Sequence, residues 1–536
     1  MIHETVNLLS ASLRLFTSSN PNDFEKIFSK DDYIDNLKNL IETECFSNFI
    51  SEKALTKRDL NDIRALQTIA VNLERIADQS VNITKQLGYL ENPDFINRFN
   101  YTQMFGTVLE GLESVMPIYE KRDLQGALDI CKREPLTDRL YKQNFDKIME
   151  MFADDHPNKD LVTTLFIFRY LERIGDLILN IGEALILAIV GEKIKIHQFL
   201  SMQSNLEQLG FDGSASDIDF QSILGSRSGC RISRLGQGKR EVSKTKESIF
   251  KEGNTHKIRT EKESLETWNT LFPGLAPRVF SYQEGESTTS MLVEFIHGCP
   301  FDEILLNGED ESLNNALFVL METSREVWLS TRKEEPIATD YMKQLQERFA
   351  HIRQVHPEFY RGEQDIGFTK VLDTGSLLQR CREIEKELPA PFSVRIHGDF
   401  NVNNLVFDPE EQMIHYIDLY RSRQADYIQD ISVFLVSNFR IPIYEKILRD
   451  RLNQIIKDFY VNATLVAAEW HDSTFDARLT LALARSFYTS TRFEHNKVFA
   501  EEMYLRAHFL LDKLLLFANL GRPWQEFRMN TTVLYY

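Results

Sequence analysis

The chain has 536 residues, 43% of them hydrophobic and 26% charged, and a formal net charge of -18. That length predicts two or more domains, and that charge excludes a general nucleic-acid binder, which needs a basic face. The five cysteines (Cys45, Cys131, Cys230, Cys299, Cys381) lack CxxC spacing, which excludes a disulfide framework and fits a reducing cytoplasm. The first residues, MIHETVNLLS, show no basic segment followed by an apolar one, so no signal peptide is expected.

Residues 1 to about 200 read as helices. Apolar residues recur at helical spacing, as in Leu66, Ile69, Ala70, Leu73, Ile76 and Ala77. Breaks near Ser18–Pro21, Ser51–Arg58, Gly88–Pro93, Lys121–Asp123 and Asp154–Asn158 divide the region into about six helices, or two sets of three. The most apolar stretch, Leu161 to Val190, is interrupted by Arg169, Glu172, Arg173, Asp176 and Glu183, so no transmembrane segment is expected. The two sets are internal repeats. LERIAD at Leu73–Asp78 returns as LERIGD at Leu171–Asp176, 98 residues later, and the same shift carries Asn82 to Asn180 and Asp62 to Asp160. One helix earlier, Asp31 and Asp35 return as Glu134 and Asp138, 103 residues later. The expected fold is a duplicated three-helix bundle, with repeats at about 1–92 and 93–200.

Four residues turn a helix by about 400°, so Glu74 and Asp78 share a face, as do Glu172 and Asp176. Like charges at that spacing repel, and a cation between them removes the cost. A solvated polar face, with Arg75 and Arg173 making surface pairs, is the plainer reading. LERIGD followed by Asn180-Ile181 resembles the signature of the PhoU family of phosphate-signalling regulators. The resemblance covers both halves of residues 1–200. It implies metal-binding carboxylate clusters at Asp31, Asp35, Glu74, Asp78, Glu134, Asp138, Glu172 and Asp176, holding iron, zinc or manganese. It also implies a link to a phosphate transporter or its signalling kinase. Lys85 stands where the second repeat has Glu183, so the first cluster is expected to be the weaker.

Residues 201–216 are polar and contain Gly and Ser, and they read as a linker with one short helix around Leu206. Strand signals begin at Phe220. Phe220 to Ile232 reads as strand, small-residue loop and strand, with Gly225 and Gly229 in a loop able to lay backbone N–H groups over phosphates. Lys251 follows on a strand, then a helix preceded by Glu261 and Glu263. A strand lysine with a helix glutamate is the pair that fixes nucleotide phosphates in kinases. Pro277–Ser281 and Met291–Gly298 read as further strands, the second ending where a hinge to adenine would lie, at Glu294 and Phe295. Helical spacing dominates from about Phe301 to Leu388.

Arg395 to Asp418 then reads RIHGDFNVNNLVFDPEEQMIHYID. A hairpin of two short strands holds Asp399, Asn404 and Asp418, the oxygen ligands that a hard cation on phosphates requires. HGDFNVNN and YIDL resemble the motifs of the aminoglycoside phosphotransferase and choline kinase family, over roughly residues 215–520. The resemblance implies an α+β, two-lobed, protein-kinase-like domain at 217–536, with ATP and magnesium as cofactors. It implies that Asp399 is the catalytic base and that Asn404 and Asp418 bind magnesium. Lys251, oriented by Glu261, contacts the nucleotide phosphates, His397 braces the loop, and Asp430 is a structural acid. Asn401-Val402 and Tyr420-Arg421 depart from the family pattern near the acceptor site, so the acceptor cannot be borrowed from any one member. Arg478, Arg485 and Arg492, seven apart on the helical tail, are expected to face solvent or pair with acids, acceptor binding being the lesser option.

The expectation is a cytoplasmic, ATP-dependent phosphotransferase acting on a small-molecule hydroxyl, joined to a phosphate-responsive bundle. The alternative is a regulator whose kinase-like domain binds nucleotide and controls a partner protein. A protein kinase is a third reading. Homo-oligomerisation is left open.

Overall fold

The computed structural model describes residues 1–17, 21–50, 56–153, 158–191, 196–208, 219–222, 231–236, 247–285, 288–366 and 369–536. The chain forms two compact units. One comprises Met1–Gly253 and Ser281–Leu292, the other Asn254–Phe280 and Val293–Tyr536. Among the described residues no helix is long and apolar enough to cross a membrane.

The first unit begins with α1 (Ile2–Arg14), α2 (Pro21–Ile50) and α3 (Lys57–Leu87). Thr56 starts α3 with a reciprocal cap: its hydroxyl accepts from Asp59 N at 3.2 Å, and Asp59 accepts from Thr56 N at 2.9 Å. Leu8, Leu15, Ile27, Ile34, Ala77 and Val81 form a core shared by the three helices. The second set is α4 (Tyr101–Lys121), α5 (Leu124–Cys131), α6 (Arg133–Ala153) and α7 (Asn158–Val190). Shifted by 103 residues, α2 spans α5 and α6 together, so the middle helix of the second repeat is broken at Lys132. The expected three helices are therefore four. Gly182 on α7 explains the close fit there: a Cβ would lie 2.4 Å from the Cys131 sulfur.

The repeated aspartates Asp62 and Asp160 tie the crossing loops. Asp62 pairs with Arg122, whose left-handed backbone (φ 51°) ends α4. Asp160 accepts from the backbone of Glu91 at 2.7 Å and Asn92 at 3.2 Å.

The helix expected around Leu206 runs as α8 (Ile196–Gln208). The strands that follow are β1 (Asp219–Ser222), β2 (Arg231–Gly236), β3 (Ser248–Gly253), β4 (Val279–Glu284) and β5 (Thr289–Glu294), in the order β1-β2-β3-β5-β4. β2 pairs antiparallel with both neighbours, Phe220 opposite Leu235 and Ile232 opposite Lys251. The fully buried Asn205 of α8 donates to Ser290 Oγ at 2.8 Å and accepts from Ser281 Oγ at 2.6 Å. Both ends of a buried amide are thus satisfied, which fixes α8 against β4 and β5.

The second unit contributes α9 (Thr255–Leu271), begun by an Asn254 cap, then β6 (Cys299–Pro300), α10 (Phe301–Asn307), α11 (Asp310–Ser330) and α12 (Tyr341–Val355). A short antiparallel pair, β7 (Gln364–Ile366) and β8 (Thr369–Val371), interrupts the region expected to be helical, and α13 (Thr374–Lys386) follows. Next come β9 (Val394–Ile396), β10 (Leu405–Asp408), β11 (Met413–Tyr416) and β12 (Arg423–Ala425). They form a three-stranded sheet, β11-β10-β6, and a pair, β12-β9. The helices α14 (Ile428–Phe439), α15 (Lys446–Glu469), α16 (Phe475–Ser490) and α17 (Lys497–Asn519) complete the unit.

α16 is its centre, buried at Phe475 and from Ala477 through Thr489. Within it Arg478 is fully buried and pairs with Asp426 and Asp472, which also accept from Tyr341 (3.0 Å) and Tyr427 (2.8 Å). Of the two expectations for Arg478, pairing with acids is the one realised. The segment MNTTVLYY, unreadable from sequence, packs Val533 and Leu534 into the unit and sets the Tyr536 ring at a tilt against Phe439 and Phe499.

Candidate active site and carboxylate clusters

The loop after β9 is shaped from within. Gly398 has φ 85°, and a Cβ there would lie 2.3 Å from Arg421 O, so only glycine fits. Asp430, from the first turn of α14, accepts from His397 N at 2.7 Å and Gly398 N at 2.9 Å. Gln429 Nε2 donates to Gly398 O at 3.1 Å. Burial pushes the Asp430 carboxyl up to about 7. His397 is fully buried, and burial holds its imidazole below the ordinary range. Its Nδ1 accepts from Asp399 N at 3.3 Å, which puts the proton on Nε2. A neutral histidine in this state braces the loop.

Asn404 links the loop to the hairpin. Its Nδ2 donates to Asp399 O at 2.9 Å, and its carbonyl accepts from Ile417 N at 3.0 Å. Its side-chain oxygen makes no hydrogen bond among the described residues. β10 and β11 pair in register, Leu405 opposite Tyr416, and deliver Asp418 in the left-handed conformation, φ 62°. The Asp418 carboxylate likewise has no hydrogen-bond partner among the described residues. Two unpartnered oxygen donors beside the Asp399 loop fit a magnesium ion. Asp399 itself is paired with Arg421 at 3.0 Å and accepts from Asn401 Nδ2.

The expected nucleotide contacts are distributed more widely. Lys251 lies on β3 with 9% exposure, and Glu261 on α9 with 1%. They belong to different compact units. Gly225 and Gly229 lie outside the described residues. Glu294 ends β5 and is held by Arg278 through bonds of 2.9 and 2.6 Å. Its backbone N–H is committed to Arg278 O at 2.8 Å, so a hinge contact from Glu294 must use its carbonyl. Phe295 stands edge-on to His297 with centroids 5.1 Å apart.

In the helical bundle, Asp31 and Asp35 on α2 meet Glu74 and Asp78 on α3. Burial, then Asp78, Asp35, Asp32 and Glu74, push the Asp31 carboxyl up to about 6. The second repeat matches: burial, then Asp138, Asp176 and Glu172, raise Glu134. Burial and Asp138 also raise Asp176, and burial raises Glu172 against the pull of Arg169. Asp31 Oδ1 and Glu172 Oε2, one in each cluster, are buried with no hydrogen-bond partner. Orphaned carboxylate oxygens among like charges fit a cation. Lys38 approaches Glu74 at 3.5 Å, and Arg169 pairs with Glu172, so each cluster also has a basic neighbour.

Among the described residues, the group of three ligand atoms lying within 4.8 Å of one another is Asp408, Glu411 and His415, at the β10–β11 turn. His415 Nδ1 bonds to Gly274 O at 2.8 Å. Sequence reading passed over this trio because Asp408 and Glu411 are ordinary acids at a turn, while His415 lies buried on β11. It placed Arg421 near the acceptor site and gave acceptor binding as the lesser option for Arg485 and Arg492, but passed over Arg348 on α12.

A family model described as the PhoU domain matches residues 1–87 and 101–185, and one described as the phosphotransferase enzyme family matches residues 297–459. A phosphate-specific transport system accessory protein PhoU homolog from Zymomonas mobilis is 31% identical over 189 residues, 35% of this chain and 79% of that protein. Its counterpart from Clostridium acetobutylicum is 29% identical over 177 residues, 32% of this chain and 80% of that protein. Among solved structures, an aminoglycoside phosphotransferase from Streptomyces rimosus aligns with TM-score 0.34 and 17% identity, over 58% of this chain and 97% of that one. The chain belongs to the PhoU family through its N-terminal part and carries, in its C-terminal part, a domain of the phosphotransferase enzyme family.

Proposed function

We propose that the protein is an ATP-dependent phosphotransferase acting on a hydroxyl of a small molecule, in the cytoplasm, with a metal-binding regulatory bundle. The observation that carries this is the single hairpin that places Asp399 beside two unpartnered oxygen donors, Asn404 and Asp418. Asn404 and Asp418 would hold magnesium, which supplies charge neutralisation at the nucleotide phosphates. Asp399 accepts the acceptor hydroxyl proton as that oxygen bonds to the γ-phosphorus and ADP leaves. Asn401 and Arg421 hold the Asp399 carboxylate in place until the hydroxyl arrives. Lys251 is proposed as the phosphate-binding lysine, Glu261 as its orienting acid, Gly225 and Gly229 as phosphate-loop residues, and Glu294 and Phe295 as adenine contacts.

In the bundle, Asp31, Asp35, Glu74 and Asp78 form one set that would hold iron, zinc or manganese, and Glu134, Asp138, Glu172 and Asp176 the other. Asp31 Oδ1 and Glu172 Oε2 support this reading. A metal there screens repulsion between carboxylates that the fold forces together.

Acceptor-dependent ADP release from the full chain tests the enzyme. Asp399→Asn should lower kcat by about 10²–10⁴ while ADP binding, measured by calorimetry, stays within twofold. Full turnover in that variant would end this mechanism. The relatives' printed role in phosphate-specific transport favours a second reading, in which nucleotide occupancy controls a transporter or its signalling kinase. That reading expects ATP binding without acceptor-dependent ADP release.

A further inference from the structure

Asp399 stands among arginines. Arg421 pairs with it at 3.0 Å. Arg348 on α12, Arg485 on α16 and Arg492 in the turn after α16 are each close enough to feel both the Asp399 carboxylate and the Arg421 charge. Asp399 is the carboxylate common to all of them. Glu347 adds a weaker pull on Arg348, and Asp418 on Arg421. Among the described residues Arg348, Arg485 and Arg492 form no ion pair.

The contrast with Arg478 is direct. Seven residues before Arg485 on the same helix, Arg478 is equally buried, and two aspartates neutralise it. Arg485 is 4% exposed, reaches only Ser432 Oγ at 3.4 Å, and stands 5.6 Å over the Tyr341 ring. Its Nε has no hydrogen-bond partner. Arg492 donates to Thr489 O at 3.0 Å and lies 4.2 Å over Phe493. Burial, then repulsion from Arg348 and Arg421, pushes both Arg485 and Arg492 down to about 10. Gathering like charges with too few counter-charges costs stability, and an incoming anion repays it. Guanidinium forks match phosphate and carboxylate geometry, and they repel cations.

We propose that Arg348, Arg421, Arg485 and Arg492 bind an anionic group of the acceptor, so that the acceptor is a hydroxyl compound carrying a phosphate or a carboxylate. This rests on the phosphotransferase reading. Arg421 exchanges its bond with Asp399 for the acceptor's anion, and the freed carboxylate takes the hydroxyl proton. The new O–P bond forms as the bond between the γ-phosphorus and ADP breaks.

The test uses the full chain with ATP and magnesium. ADP release is measured with glycerol 3-phosphate, D-glycerate, glycerol and choline. The expected result is a kcat/KM at least 10-fold higher for one or both anions than for glycerol and choline, and the better anion identifies the group. Arg348→Gln and Arg492→Gln should raise KM for that anion at least 10-fold and leave KM for ATP within twofold. Arg522→Gln, from an exposed pair with Glu526, should change neither. Faster turnover of glycerol or choline overturns the anionic acceptor and leaves the phosphotransferase reading intact. In parallel, inorganic phosphate is titrated by calorimetry. A Kd at least 10-fold weaker in Arg348→Gln and Arg492→Gln supports the anion site, and equal binding in every chain overturns it. Arginine-dependent phosphate binding with no ADP release from any acceptor would sink the phosphotransferase reading alone.

Discussion

Asp430 shapes the Asp399 loop without touching Asp399 itself. Its carboxyl accepts the backbone donors of His397 and Gly398, both buried. Asp430→Ala orphans those two donors and should cost about 2–4 kcal/mol in urea denaturation, and Asp430→Asn, which keeps an acceptor, should cost less. Arg478→Met leaves Asp426 and Asp472 buried without their counter-charge, which should cost about 3–5 kcal/mol in the same assay. At this scale the sequence was most legible where chemistry is local. His397, Gly398, Asp399, Asn404 and Asp418 lie within one short stretch, a loop and the hairpin that follows it, so their spacing in sequence was readable. Arg348 was opaque, and acceptor binding stayed the lesser reading of Arg485 and Arg492, because separate helical segments bring them to Asp399. Spacing by seven suggested that Arg478, Arg485 and Arg492 were equivalent. Only the partners, two aspartates for Arg478 and none for the others, tell them apart.

Among elements, α12 shows how one helix starts another. Glu385, near the end of α13, accepts from the backbone of Tyr341 at 2.6 Å and Met342 at 3.2 Å, in the first turn of α12. Burial pushes its carboxyl up to about 7 against the pull of those donors. The folded chain therefore holds this proton more tightly than the unfolded chain, whose glutamate titrates near about 4.3. The resulting stability is fully present below about pH 4 and is lost as pH rises through about 7. Glu385→Gln, which cannot ionise, should flatten that part of a pH–stability profile measured by chemical denaturation, by about 3–4 kcal/mol. Among the paired helices of the bundle, metal analysis of the full chain should find iron, zinc or manganese, and Glu172→Gln should lower the bound amount. Metal-free protein, purified without chelator, would favour a merely solvated acidic face. The bundle was legible because its repeats carry matched acids, at an offset of 98 residues for one helix and 103 for the other. The break between α5 and α6 was passed over although Pro135 signals it: proline has no N–H to donate to Cys131 O and its ring crowds that carbonyl, so α5 ends at Cys131. The β7–β8 pair was hidden because so short a pair has no periodicity to read.

The whole chain joins two families that sequence reading separated at a linker. The first compact unit takes in β1 to β3 and Ser281–Leu292 as well as the helices. Local patterns carry no information about which side of a long-range boundary a strand falls on, whereas the buried amide of Asn205 does. Calorimetry of the full chain should show two unfolding transitions, and Arg478→Met should lower only one of them. A single cooperative transition would mean that the units fold as one. The polypeptide passes from one unit to the other after Gly253, after Phe280 and after Leu292. Modular exchange with relatives is therefore not a matter of one cut. A chimera that trades either unit intact needs three junctions, so insertions and recombination events that respect only the linear order of the two families would divide the strand-bearing segment instead of swapping it.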